Sequence, residues 1–255
     1  MPIFKRILLG YLLCLSLSTW AAPIIDQWPV IAEAFFKGRA VTQDSGQISI
    51  TAPSQAEDAT LVPISIQLAP AHGFSKWYLF VDANPILLTL TTQMPDTIHS
   101  FTLSTRIRLE ANSKVRVVAE QPDGTLSMAV VEVKTPGGGC GGAVGQDETT
   151  LRANAGKMKL QQSEDKQTTT LQINHPMRTG FERTVYGYYA KAWFLQTVEW
   201  QQAGNILMAL QLGPGISANP YFRMEYPIAL QALAIQASDN EGQQFSFNKP
   251  AVSRP

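Results

Sequence analysis

Residues 114–134 read KVRVVAEQPDGTLSMAVVEVK, and the alternation in this stretch decides the fold. Val115 and Val117 alternate with polar partners, as do Val131 and Val133 on the far side of Pro122-Asp123-Gly124. Successive side chains of a strand point to opposite sides of a sheet, so period-two alternation is what one buried face requires. Proline presets φ for a turn and glycine accepts the left-handed position, so the central tripeptide folds the two runs together. Residues 115–121 and 126–134 therefore read as an antiparallel hairpin.

Upstream of the hairpin, residues 47–51, 60–68, 77–81 and 98–108 read as further strands, with Ile64, Ile66 and Leu68 in clear alternation. Downstream, strands are expected at 157–160, 168–174, 193–201, 205–212, 221–226, 230–238 and 243–248. Gly204-Asn205 and Asn240-Glu241-Gly242 supply hairpin turns among them. Only residues 28–37 (WPVIAEAFFK) have the spacing of a short amphipathic helix, which stops at Gly38. Many short strands with regular turns indicate an all-β chain of two β-sandwich domains in tandem, joined by a Gly-rich, cysteine-bearing segment.

The N-terminus reads as a secretory signal. Lys5 and Arg6 precede an apolar run from Ile7 to Leu17, and Thr19-Trp20-Ala21 offers small residues at peptidase spacing. Cleavage after Ala21 gives a signal at 1–21, a first sandwich at 22–136, an arm and linker at 137–150 and a second sandwich at 151–255. Cys14 leaves with the signal, so Cys140 is the one thiol of the mature chain. An internal disulfide is then impossible, in the periplasm where disulfides persist. No later stretch is apolar enough for a membrane helix, so no membrane association is expected. The formal net charge is zero, and no basic stripe exists to neutralise phosphates, which argues against nucleic acid as a partner.

Cys140 stands in Pro136-Gly137-Gly138-Gly139-Cys140-Gly141-Gly142. Glycine has the widest backbone freedom, so five of them around one cysteine read as a slim, flexible arm bearing an exposed thiol. The six residues from Lys134 to Cys140 extend at most about 20 Å, enough for the thiol to enter a partner's cleft. No helix start or histidine adjoins it, so a pKa near the ordinary ~8.5 is expected. Cys140 therefore reads as a covalent attachment point, with the chemistry done by partner enzymes and none by this chain. Gly137, Gly139 and Gly142 also satisfy the letter of a dinucleotide loop, but no amphipathic helix follows, and the acidic residue and βαβ unit of such a site are absent. His72, His99 and His175 show no ligand spacing, so neither a metal nor a cofactor is expected. A cysteine–histidine pair from distant positions stays open. His175 more simply satisfies turn backbone in Asn174-His175-Pro176-Met177. Trp193, Phe194, Trp200 and the aromatic group at 186–189 read as core or interface.

These residues resemble the SoxYZ sulfur carriers. The first half resembles SoxY from about Gln47 to Gly142, through Leu61-Val62-Pro63-Ile64, Val81-Asp82-Ala83-Asn84-Pro85 and the Gly138–Gly142 end. The second half resembles SoxZ, through His175-Pro176-Met177-Arg178-Thr179-Gly180, Ala192-Trp193-Phe194-Leu195, Gly213-Pro214-Gly215-Ile216-Ser217 and Asn219-Pro220. The resemblance implies two immunoglobulin-like sandwiches packed together, and a periplasmic carrier that bears sulfur intermediates covalently on Cys140. It implies c-type cytochromes, or a quinoprotein dehydrogenase for the fused form, as partners, and the two halves as partners of each other. A non-covalent accessory module of such a dehydrogenase is the alternative. Here both halves share one chain, the cysteine motif is internal, and Trp193 stands where SoxZ chains usually have histidine.

Overall fold

The computed structural model describes residues 23–43, 46–68, 73–93, 101–144, 147–165, 168–202, 204–225 and 233–248. The expected signal, Cys14, His72 and His99 lie outside them. The first half contains α1 (Trp28–Phe36), β1 (Val41–Gln43), β2 (Ile48–Thr51), β3 (Val62–Leu68), β4 (Lys76–Val81), β5 (Leu88–Gln93), β6 (Phe101–Ile107), β7 (Ser113–Glu120) and β8 (Leu126–Val133). The second contains α2 (Glu148–Asn154), β9 (Met158–Gln162), β10 (Thr168–Ile173), β11 (Leu195–Gln202), β12 (Asn205–Leu212), β13 (Tyr221–Glu225), β14 (Leu233–Asp239) and β15 (Gln244–Asn248).

The hairpin read from alternation forms: β7 and β8 pair antiparallel from Ser113↔Val133 to Glu120↔Leu126. Its turn closes through Gly124 N–H donating to the Gln121 carbonyl at 2.9 Å. The helix also forms. It ends at Lys37 in the left-handed conformation, φ 50°, with Gly38 N–H donating to the Ala32 carbonyl at 3.2 Å, a Schellman-type stop. Ile31 and Phe36 of α1 pack on Phe80, Val118, Leu126 and Met128 of the sheet.

The all-β architecture of two immunoglobulin-like domains is as expected, and the manner of their joining is a new finding. One sheet has nine strands, in the order β1-β8-β7-β4-β5-β12-β11-β14-β15, and the other six, in the order β2-β3-β6-β13-β10-β9. Each sheet thus draws strands from both domains. They meet where β5 pairs with β12, Leu90 opposite Leu212, and where β6 pairs with β13, Leu103 opposite Met224. A single core fills the space between the sheets, with Trp77, Leu79 and Leu103 from one half and Leu171, Trp200 and Phe222 from the other, all fully buried. At roughly 1.5–3 kcal/mol for each large apolar side chain removed from water, this shared core binds the halves far more firmly than a linker would.

Candidate functional site

The cysteine tract lies against this double sandwich at the junction of its halves. The first half supplies its floor. The Asn84 side chain donates to the Arg108 carbonyl (2.9 Å) and accepts from Glu110 N–H (3.0 Å), fixing the segment that follows β6. That segment grips the tract: Glu110 and Leu109 carbonyls accept from Gly138 and Gly139 N–H at 2.8 and 3.0 Å. The Glu110 carboxylate accepts from Cys140 N–H at 3.0 Å. Arg108, itself buried, donates from Nη1 to the Gly139 carbonyl (3.0 Å) and from Nη2 to the Met177 carbonyl (3.3 Å), so one guanidinium ties tract and second half together.

The second half supplies the cover. Thr179 Oγ1 lies 2.6 Å from the Cys140 carbonyl, to which it donates, and 2.8 Å from Glu182 Oε2. Glu182 in turn accepts from Thr179 N–H at 2.9 Å and Gly180 N–H at 3.0 Å. Past the cysteine, Arg183 N–H donates to the Gly142 carbonyl at 2.7 Å and Val144 N–H donates to the Arg183 carbonyl at 2.8 Å. The Gly213–Ser217 stretch completes the wall: Gly215 carbonyl accepts from Arg108 N–H at 2.8 Å, and Ser217 Oγ donates to the Thr60 carbonyl at 2.7 Å.

The expectation of an exposed thiol on a flexible arm is therefore corrected. Cys140 is 3 % exposed, and the tract is docked along its length. Glycine serves close approach here. A Cβ on Gly139 would collide with the Ala59 carbonyl oxygen and come within 2.6 Å of that of Leu109. Gly137, Gly138 and Gly142 have φ of 86°, 76° and 114°, a region that side-chain-bearing residues avoid, while Gly141 faces open space. Asn84, Pro85, Ile86, Thr179, Phe181, Pro214 and Gly215 line the thiol's surroundings and leave a cavity of only about 10 Å³, at the lower edge of the ~10–15 Å³ that a single water needs. Gly141–Val144 also form one wall of a cleft of about 610 Å³ with a mixed polar and apolar lining that includes Arg108, Arg178 and Glu182.

Electrostatics follow the geometry. Burial, reinforced by the Glu110 charge and only partly offset by Arg108, pushes the Cys140 thiol up to about 12, so the docked form is a neutral thiol. The expected ordinary thiol pKa is thereby corrected as well. His175 is fully buried. Its Nδ1 accepts from Met177 N–H at 3.2 Å, which is the backbone role read from its turn, and burial pushes it down to about 4. Trp193 is core: it is 1 % exposed, and its Nε1 donates to Asp239 Oδ2 at 2.8 Å. Trp200 is core too, whereas Tyr186, Tyr188 and Tyr189 stand exposed. Among the described residues no group of three or more His, Cys, Asp or Glu side chains is placed to hold a metal.

The sequence singles out Cys140 by its glycine surroundings, but not Arg108, Glu110, Thr179 and Glu182, which hold it. A signal was present: Asn84, Thr179 and Ser217 all lie in the motifs that carried the resemblance, and each now has a bond that shapes the dock.

Residues 32–140 match the family of sulfur oxidation protein SoxY and residues 157–250 that of sulphur oxidation protein SoxZ. No curated protein matches the chain. Among solved structures, the sulfur carrier protein SoxY from Chlorobium limicola f thiosulfatophilum is 26% identical, covering 42% of this chain and 88% of its own, with a TM-score of 0.37. The superoxide reductase (neelaredoxin) from Ignicoccus hospitalis is 16% identical, covering 44% of this chain and 94% of its own, with a TM-score of 0.30. With a SoxY domain ending at the docked cysteine and a SoxZ domain covering it, the chain belongs to both families at once and is a fused SoxYZ-type carrier.

Proposed function

We propose that this chain is a periplasmic carrier that bears sulfur intermediates covalently on Cys140 and presents them to partner enzymes, and that the docked tract is its unloaded, resting form. The observation that carries the reading is convergence: motifs from both halves meet on one thiol, and none of them activates it. A neutral thiol whose pKa is pushed up to about 12 is a poor nucleophile, so the chemistry belongs to enzymes that receive the arm. The cavity of about 10 Å³ beside the thiol has no room for an added sulfonate, so loading requires the tract to leave its dock. The bonds to be broken are hydrogen bonds that water can replace, and the tract is rich in glycine, so it can extend once free.

For a thiosulfate-type donor the step balances simply. A new S–S bond joins Cys140 Sγ to the donor's outer sulfur, the thiol proton goes to solvent, and two electrons pass to a c-type cytochrome partner. The chain itself supplies no cofactor and no catalytic group to this step.

The 3 % exposure of Cys140 also fits a second reading, in which the cysteine is a packing residue and the chain is a non-covalent accessory module of a periplasmic quinoprotein dehydrogenase. Intact mass of protein taken from its own periplasm without reductant separates the two. The carrier reading expects an adduct that is absent from Cys140→Ser, in a protein that folds normally. An unmodified thiol in the wild type, with partner activity unchanged by Cys140→Ser, favours the accessory module.

A further inference from the structure

The chain between Phe181 and Ala190 leaves the body of the second half as a short hairpin. It is held in shape by its own backbone: Thr184 N–H donates to the Tyr188 carbonyl at 2.8 Å, Gly187 N–H to the Thr184 carbonyl at 2.9 Å, and Ala190 N–H to the Glu182 carbonyl at 2.8 Å. Arg183 braces it from below, with Nη1 on the Gly187 carbonyl at 3.1 Å and its guanidinium 3.4 Å from the Tyr189 ring centroid. Yet the side chains of this ordered tip face water: Val185, Tyr186, Tyr188 and Tyr189 are 81 %, 83 %, 73 % and 60 % exposed. Such an apolar cluster on a braced loop contributes nothing to the core, and clusters of this kind mark interaction sites. Its position tells what covers it. The foot of the hairpin is the same Arg183 whose backbone bonds Gly142 and Val144 of the cysteine tract. At the other end of the tract, half-exposed Ile86 and Phe181 roof the thiol.

We propose that the 181–190 hairpin is the docking handle for the enzyme that loads Cys140, a protein whose matching surface is an apolar patch bordering the mouth of its active site. The proposal rests on the carrier reading, because the argument is access to the thiol. A body that approaches the docked thiol to draw it out meets the hairpin beside it, since two main-chain hydrogen bonds join the hairpin to the docked tract. Tyrosines are suited to the task, since they bring a large amphipathic contact area at little entropic cost. Three tyrosines and a valine, at this exposure, offer about 400–500 Å², more than half of the ~800 Å² one partner contributes to a stable interface. A second copy of this chain is the wrong occupant, because hairpin on hairpin would close over the thiol that must be reached.

The test replaces the gene in its own host by the variant Tyr186→Ser/Tyr188→Ser. Both side chains face solvent, so thermal melting and the slow alkylation of Cys140 by iodoacetamide should match wild type. The fraction of periplasmic protein carrying an adduct, read by intact mass, should fall at least tenfold. Equal adduct levels in variant and wild type overturn the handle and leave the carrier reading intact. Faster alkylation in the variant makes the hairpin a structural brace and overturns it too. A wild-type dimer in sedimentation that the variant lacks assigns the surface to self-association instead. A wild type with no adduct at all removes the carrier reading and the handle with it.

Discussion

The two halves of this molecule meet twice, once through strands and once through loops, and the two seams differ in kind. The strand seam pairs β5 with β12 and β6 with β13 and is backed by a core drawn from both halves. The loop seam, around Cys140, consists of bonds from the Arg108, Thr179 and Ser217 side chains to main chain across the halves, plus the Arg108–Gly215 backbone bond and the hairpin's two backbone bonds. Opening the first would expose large apolar surface and orphan ladder hydrogen bonds. Opening the second lets the freed groups bond water and costs little beyond the lost contacts. Such a division is what the proposed carrier needs, because its halves stay together when the tract leaves its dock.

The sharpest way to break that contrast is to attack the strand seam. Leu210 of β12 is fully buried and lies opposite Thr92 of β5. Leu210→Ala should cost about 2–5 kcal/mol, as core truncations of leucine do. Because the core is shared, calorimetry should record one transition for both halves, at a lower temperature. Two separate transitions would mean that the halves fold independently and that the strand seam is no stronger than the loop seam.

The loop seam answers to smaller changes. Gly139→Ala places a methyl group against the Ala59 and Leu109 carbonyls, an overpacked contact worth about 3 kcal/mol. The cheapest relief is to release the tract, so Cys140 alkylation should accelerate roughly a hundredfold while the melting temperature hardly moves. A melting temperature that falls without faster alkylation would show the tract to be part of the permanent structure. Thr179→Val keeps the shape but removes the hydroxyl that donates to the Cys140 carbonyl. Leaving that carbonyl unpaired costs about 1–2 kcal/mol, and alkylation should rise about tenfold. An unchanged rate would move the grip on the tract to the first half alone.

The same two seams explain what the sequence disclosed. The β7–β8 hairpin was legible because both partners are local and their turn carries its own chemistry. The strand β5 was not, since in Leu88–Gln93 the buried residues include Thr89 and Thr92, which do not read as a hydrophobic face. Its pairing partner β12 lies more than a hundred residues away. The helix α2 escaped for another reason: none of its residues is buried, so it has no apolar period, although Asp147 caps it by accepting from Thr149 N–H at 3.0 Å. At the site, glycine composition correctly marked an unusual mount but suggested freedom where there is close packing. The partners that make the difference are brought in by the tertiary fold: no local pattern announces Glu110 or Ala59, and the motif that contains Thr179 does not show that it reaches Cys140.

The smallest effect concerns protons, and it tests whether the loop seam opens as a unit. The docked thiol is held up at about 12, whereas an undocked one ionises near the usual ~8.5. The docked form has the raised pKa, so docking is at full strength below about pH 8.5 and weakens above it, by about 1.4 kcal/mol per pH unit. Alkylation proceeds through the open thiolate. For an exposed cysteine the rate levels off above its pKa, gaining roughly twofold between about pH 8.5 and 9.5. For the docked one the ratio of open thiolate to closed thiol keeps growing about tenfold per unit, since the closed form stays protonated throughout that range. The two profiles thus part by about fivefold over one pH unit, and Gly139→Ala should convert the steep profile into the levelling one. A wild-type profile that already levels near pH ~8.5 would mean that Cys140 samples solvent freely, and the contrast between the seams would then be one of degree only.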